Sequence, residues 1–266
     1  MSPTATLKNQ LHDFSLFSQE LVHLPKSEKV LIQTLNQYSY CLTKEDPEFR
    51  TSLLEADVIL PDGIAIVLAN WLITGKKIKK IAGADLHQYL LEDLNNKGGK
   101  CFYLGSSEST LNAIKARCKK EFPNIEVGYY SPPFKNTFSG SDSEQMIKAA
   151  NTFRPDVLFI GMTAPKQEKW AFANKEFLEA PVICSIGAVF DFYAGTVKRP
   201  GKAWINWGLE WLVRFAKEPR RMWVRYGYYG PVFFKDLFLE ILSRISSKKQ
   251  EKGRFKSMKE ISEKMN

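Results

Sequence analysis

The sequence predicts an α/β fold: a Rossmann-like parallel sheet sandwiched by helices, with a basic, aromatic, helical appendage at the C-terminal end. Short runs that are apolar throughout, such as Lys100-Cys-Phe-Tyr-Leu104 and Val182-Ile-Cys-Ser-Ile186, alternate with stretches of helical periodicity. Strands buried on both faces and joined by crossover helices give that pattern. Several of the runs stop at glycine, as at Gly105, Gly161 and Gly187. Finally, residues 198–266 hold 17 Lys and Arg against 7 Asp and Glu, while the residues before them are close to neutral.

The elements follow in order. Residues 1–28 lack strong periodicity and read as a variable lead-in with one helix around Phe14–Val22. Val30–Thr34 is a strand, and Tyr38–Glu55 is helix-like, with Leu42, Phe49, Leu53 and Leu54 on one side. Asp57–Leu60 is a strand stopped by Pro61-Asp62-Gly63, and Ile64–Ile73 is a largely apolar helix. Asp85–Asn95 is a helix closed by Gly98-Gly99. Lys100–Leu104 is a strand, Gly105-Ser106-Ser107 a turn and Glu108–Glu121 a helix. The Pro-, Ser- and Gly-rich stretch 131–143 reads as a loop before a helix at Ser143–Phe153. Asp156–Ile160 is a strand, a helix runs from Pro165 onward, and Val182–Ile186 is the last strand.

After Gly201 the alternation stops. Trp204, Trp207, Trp211 and Phe215 fall on one helical stripe, and Arg214, Lys217, Arg221 and Arg225 on another, with Pro219 breaking the helix between them. Pro231 can start a further helix, Val232–Ile245, and residues 247–266 read as a polar, Lys-rich, disordered tail. The resulting units are 1–28, a catalytic core over 29–200, an appendage over 201–246 and the tail. Cations interleaved with Trp and Tyr suit an anionic membrane surface or a lipid-linked diphosphate, and an exposed aromatic appendage suits a second subunit equally.

Composition excludes some classes. Cys41, Cys101, Cys118 and Cys184 lie far apart without a C-x-x-C pair and read as reduced core thiols. The N-terminal residues lack a secretory layout, and no apolar run reaches the length of a spanning helix. A cytoplasmic chain, peripheral to the membrane, is expected.

In a parallel sheet the ligand crevice lies at the carboxyl ends of the strands, which here are followed by Thr34, Asp62, Gly105, Gly161 and Gly187. Gly105 and Gly161 can present helix N-termini to a phosphate, or be tight turns without a ligand. Asp62 can cap the following helix or act as a general base. Thr34 and Asn36 also read as turn chemistry. Lys166, Gln167 and Glu168 can hold a diphosphate or sugar hydroxyls, or form an ordinary charged helix start. Asp191 can be structural. Metal is disfavoured: the nearest acidic pair, Asp142 and Glu144, reads as a helix start, and His12, His23 and His87 share no ligand spacing.

Several motifs resemble the WecG/TagA/CpsF family of bacterial glycosyltransferases. They are Thr34-Leu-Asn36, Ala56-Asp-Val-Ile-Leu-Pro-Asp62-Gly63-Ile, Ala82-Gly83-Ala84-Asp85-Leu86 and Gly161-Met-Thr-Ala-Pro165-Lys-Gln167-Glu-Lys-Trp170. Gly187-Ala-Val-Phe-Asp191-Phe, Gly195-Thr-Val-Lys-Arg199, Gly208-Leu-Glu210-Trp211 and Glu218-Pro-Arg220-Arg221 continue the likeness, which spans roughly residues 29–228. The resemblance implies an inverting, metal-independent transfer without a cofactor, from a UDP-sugar to a polyprenyl-diphosphate-linked sugar. It implies N-acetylmannosamine, its uronic acid or a related hexose as the sugar, Asp62 as base and Thr34 as its partner. Asn36, Gly63, Asp85 and Gln167 would lie at the pocket, with Arg214, Arg221 and Arg225 reaching the diphosphate from the appendage. Ala65 replaces a common second glycine, and Lys80 stands where many members have arginine. A nicotinamide enzyme would want a full G-x-G-x-x-G turn, which is missing. A nucleic-acid-binding module would leave the Asp62 cleft without purpose, so no nucleic acid is expected.

Overall fold

A computed structural model describes residues 11–25, 28–197 and 219–246, with positions 201, 212, 215 and 216 between them. Its centre is a six-stranded sheet in the order β2-β1-β6-β5-β3-β4, every pair parallel. The strands are β1 (Val30–Leu35), β2 (Val58–Pro61), β3 (Lys100–Gly105), β4 (Glu126–Tyr130), β5 (Val157–Gly161) and β6 (Val182–Ser185). The chain builds outward from β1 to β2, then crosses the sheet to β3 and β4 before β5 and β6 fill the gap. That reversal of direction opens a crevice at the carboxyl ends of the inner strands.

Alternation along the strands supplies both faces. On β3, Cys101 and Tyr103 pack with α4 (Gly83–Lys97), α5 (Glu108–Glu121) and α8 (Val189–Ala194), through Leu90, Ile114 and Tyr193 among others. Phe102 and Leu104 point the other way, to α6 (Gly140–Phe153) and α7 (Lys166–Asn174), where Met146 and Trp170 cover them. A third cluster lies beside the β1–β2 edge. There Phe49 and Ile66 of α2 (Pro47–Leu54) and α3 (Ile64–Thr74) meet Phe233 and Leu237 of a terminal helix, 229–246. All four cysteines are free and buried, and His87 is a core residue that donates or accepts at Tyr103 Oη over 2.7 Å. Burial drops its pKa to about 3, so it stays neutral.

Several elements differ from expectation. The lead-in forms two short 3₁₀ turns, Leu11–Asp13 and Leu21–His23, rather than a helix around Phe14–Val22. Between them Leu16 pairs with Ile59, and the Phe17 N–H donates to Ile59 O at 2.8 Å, so sheet contacts override local helix propensity. The expected helix 38–55 is two, α1 (Gln37–Glu45) and α2. Asp46 caps α2 through the Phe49 N–H at 2.9 Å, and Pro47 occupies its first turn, where no donor is needed. Strand β4 had no counterpart in the sequence reading; it is a half-exposed edge strand whose glycine and glutamate weaken the apolar pattern. Helix α6 starts before Ser143, because Ser139 and Asp142 form its capping box.

The described helical stretch on the C-terminal side runs from Pro219–Met222 through a π segment, Trp223–Tyr228, into 229–246. Pro231 therefore does not start a helix; it lies within the continuous helical stretch, three residues after the π segment ends. Trp204, Trp207, Trp211, Arg214, Lys217 and the tail 247–266 lie outside the described residues, as does the side chain of Arg221. Among the described residues no helix is long and apolar enough to cross a membrane.

Candidate functional site

The crevice is a cavity of ≈ 1010 Å³, at the top of the ~300–1000 Å³ range of small-molecule sites. Its floor is laid by the strand ends: Thr34 on β1, Asp62 after β2, Gly161 on β5 and Gly187 after β6. The N-cap positions of α1, α3, α4, α5 and α8, namely Asn36, Gly63, Ala82, Ser107 and Ala188, all line it. Converging helix starts bring positive dipole ends to one space, which favours an anion. Lys80, Lys166 and Arg225 add full charges to the same wall.

Asp62 is positioned by the backbone. Its N–H donates to Leu35 O at 2.9 Å, extending the β1–β2 ladder one step past Pro61. Gly63 then turns the chain at φ 120°, a conformation that a side chain resists, and takes the cap position of α3. The capping place that sequence reading allowed Asp62 thus belongs to Gly63. Asp62 itself is half-buried on the cavity wall. Asn36 uses its side-chain oxygen to cap α1, accepting from the Tyr38 and Ser39 N–H groups at 3.0 Å each.

The start of α7 forms a buried brace. Gln167 accepts from the Met162 N–H at 3.1 Å and donates to Glu168 Oε1 at 2.8 Å, fixing the loop after β5. Lys166 donates to Lys135 O at 2.7 Å and lies over the Phe138 ring, and burial lowers its pKa. Glu168 is only 2 % exposed, beside Gln33, whose amide donates to the Glu168 backbone carbonyl at 3.2 Å. Glu168 Oε2, Gln33 Oε1 and Ser185 Oγ have no partner among the described residues. Desolvation raises the Glu168 carboxyl to about 7, against the opposing pull of the Gln167 hydrogen bond and the Arg225 charge. Arg225 comes from the π segment, and its guanidinium lies 4.7 Å from the centre of the Tyr38 ring.

This burial has a stability consequence. The unfolded carboxyl titrates near 4.5 and the native one near 7. Between those values the unfolded chain releases a proton that the native chain keeps, so stability falls as pH rises through this window. The loss is complete above pH ~7 and on the order of 3 kcal/mol. Glu168→Gln keeps an acceptor for Gln167 and removes the titration. In urea unfolding its advantage over the native chain should grow from pH ~5 to pH ~8. An advantage that stays constant with pH would show that Glu168 does not titrate in this way.

Two candidates fall off the cavity wall. Asp85 accepts from the Ala82 N–H at 2.9 Å, reaching back to the N-cap residue of α4, so it shapes the wall from behind. Gly105 pairs in register with Gly161 on the neighbouring strand, and a Cβ there would come within 2.5 Å of the Gly161 carbonyl oxygen. With φ at 118° as well, Gly105→Ala should cost about 2–3 kcal/mol in urea unfolding. A midpoint equal to the native one would contradict this packing. Asp191 lines the cavity, and its backbone carbonyl accepts from the Thr196 hydroxyl and the Val197 N–H. Asp142 is not among the lining residues; Lys135 and Ser139 hold its carboxyl at about 2, and it serves the start of α6. Sequence reading missed Gln37, Tyr38, Ser106 and Ser107, which stand beside chosen positions, and Phe134 and Phe138 from the 131–143 loop.

Comparison with known proteins agrees in one direction. The model of the family described as "Glycosyl transferase WecG/TagA/CpsF family" matches residues 9–247. Among similar proteins is an N-acetylglucosaminyldiphosphoundecaprenol N-acetyl-beta-D-mannosaminyltransferase of Bacillus spizizenii, 29% identical over 202 residues, which cover 76% of this chain and 77% of that one. A protein of the same name in Bacillus subtilis is 28% identical over 195 residues, covering 73% and 74%. One in Staphylococcus aureus is 23% identical over 203 residues, covering 76% and 71%.

Proposed function

Since the chain belongs to the WecG/TagA/CpsF family of glycosyl transferases, we propose that it moves a sugar from a UDP-sugar to a polyprenyl-diphosphate-linked sugar. N-acetylmannosamine, its uronic acid or a related hexose is the transferred unit, and the product feeds a cell-surface polysaccharide or teichoic-acid-type polymer. The names of the similar bacilli and staphylococcal proteins support the acceptor class and the sugar. The observation that carries the chemistry is the Asp62 carboxylate in a cavity ringed by helix N-termini.

Under this reading the reaction is a single displacement. Asp62 takes the proton of an acceptor hydroxyl as that oxygen bonds to the anomeric carbon, and Thr34 orients the hydroxyl. The bond from the anomeric carbon to the UDP oxygen breaks, and its electron pair leaves with UDP. Helix N-termini, Lys166, Arg225 and, from the appendage, Arg214 and Arg221 stabilise the growing diphosphate charge without a metal. Asn36, Gly63, Lys80, Gly161 and Gln167 shape the donor site. The chain works at the cytoplasmic membrane face, where its acceptor is anchored.

A panel of UDP-sugars against a short-chain N-acetylglucosamine diphosphate, read by mass spectrometry, tests this. One added sugar with release of UDP is expected, unchanged by a chelator. No transfer from any UDP-sugar would overturn the reaction class, and loss with chelator would overturn the metal-free part.

A further inference from the structure

Helix α3 is apolar on two opposite sides. Ile66, Ala69 and Ile73 face the core, while Ile64, Leu68, Trp71 and Leu72 are 51, 41, 43 and 45 % exposed. A helix that is apolar all round normally lies inside a protein or against lipid. The chain from Gly63 to Ala84 contains no Asp or Glu, and it carries Lys76, Lys77, Lys79 and Lys80 directly after the helix. Lys77 Nζ stands 6.0 Å from the Trp71 ring centre. An ammonium beside an exposed indole is the pairing favoured where hydrocarbon meets headgroups.

The terminal helix continues this surface. Phe234, Phe238, Leu242 and Ile245 are exposed along it, and Phe234 lines the cavity mouth together with Ile64 and Leu68. Its two acids are turned away: Asp236 pairs with Lys44, and Glu240 is buried against His12 and the Leu11 N–H. Apolar exposure fringed by lysine, with acids withdrawn, complements an anionic bilayer rather than a protein of mixed charge.

We propose that the outer face of α3, with Lys76, Lys77 and Lys79, seats on an anionic lipid surface, so that the sheet domain itself contacts the bilayer and opens its cavity onto it. This rests on the reading that the acceptor is lipid-linked, and it assigns a membrane contact beyond the Trp- and Arg-rich appendage. The contact places Ile64, Leu68 and Phe234 as an apolar threshold between lipid and cavity.

The test uses the full chain with vesicles of phosphatidylcholine and phosphatidylglycerol. Lys76→Glu/Lys77→Glu/Lys79→Glu should lower partitioning about a hundredfold, since each cation contributes about fivefold. Trp71→Ser/Leu72→Ser should lower it similarly. Turnover of a water-soluble short-chain acceptor should stay within about twofold for both variants, which keeps the catalytic reading separable. Unchanged partitioning overturns the proposal, as does unchanged partitioning with loss of self-association, which would give the face to a second copy. A single Leu72→Cys carrying an environment-sensitive dye guards against misfolding: a blue shift on vesicles supports the contact, and no shift overturns it.

Discussion

Replacing Asp62 by asparagine should lower turnover by ~10²–10⁴-fold while leaving UDP affinity within about threefold. The side chain keeps its size, and the backbone that places it keeps its bond to Leu35 O. What is lost is the capacity to accept a proton from an attacking hydroxyl. On the proposed reading the nucleotide is held elsewhere, by helix N-termini and cations on the same cavity, so binding and turnover should separate. If both fall together, Asp62 belongs to the binding surface. If turnover stays within about threefold of the native value, it is not the base.

Arg225→Ala should cost about 10²–10³-fold in turnover, the size expected when a fixed donor to developing charge is removed. Its guanidinium carbon lies 4.7 Å from the Tyr38 ring centre, and both residues line the cavity. The same substitution frees Glu168 from a charge that lowers its pKa, so that carboxyl should climb further. Arg225→Lys restores the charge without the forked guanidinium donors and should recover only part of the rate. Two readings of one variant, kinetics and the pH dependence of unfolding, thus report on one guanidinium. A turnover loss without any change in the pH dependence would separate Arg225 from Glu168.

The sheet was legible because its inner strands are apolar on both faces, which turns each into an uninterrupted run. Strand β4 escaped because an edge strand is half wet, so Glu126 and Gly128 blur the run. The break between α1 and α2 was written in Asp46-Pro47, a cap followed by a first-turn proline, but apolar spacing across it reads as one helix. Strand-end logic found Thr34, Asp62, Gly161 and Gly187 on the cavity wall. It passed over Gln37 and Ser107, whose neighbours looked more distinctive.

Glu168 shows what spacing cannot carry. An acid in the first turn of a helix reads as a solvated dipole partner, yet β1 and β6 bring Gln33 and Ser185 to the same interior and seal it from water. The contact of Arg225 with Tyr38 joins residues far apart in the chain, and no periodicity announces it. Gly105 was chosen for a phosphate and instead serves the close approach of β3 to β5.

One spectrum tests the reaction most directly. With an α-linked UDP-sugar as donor, proton and carbon NMR of the isolated product reads the configuration at the transferred anomeric centre. A single attack prepared by Asp62 inverts that centre and gives the β-linked sugar. An α-linked product would mean that the enzyme itself, or an ion-pair route, intervenes between donor and acceptor, and the role assigned to Asp62 would be wrong.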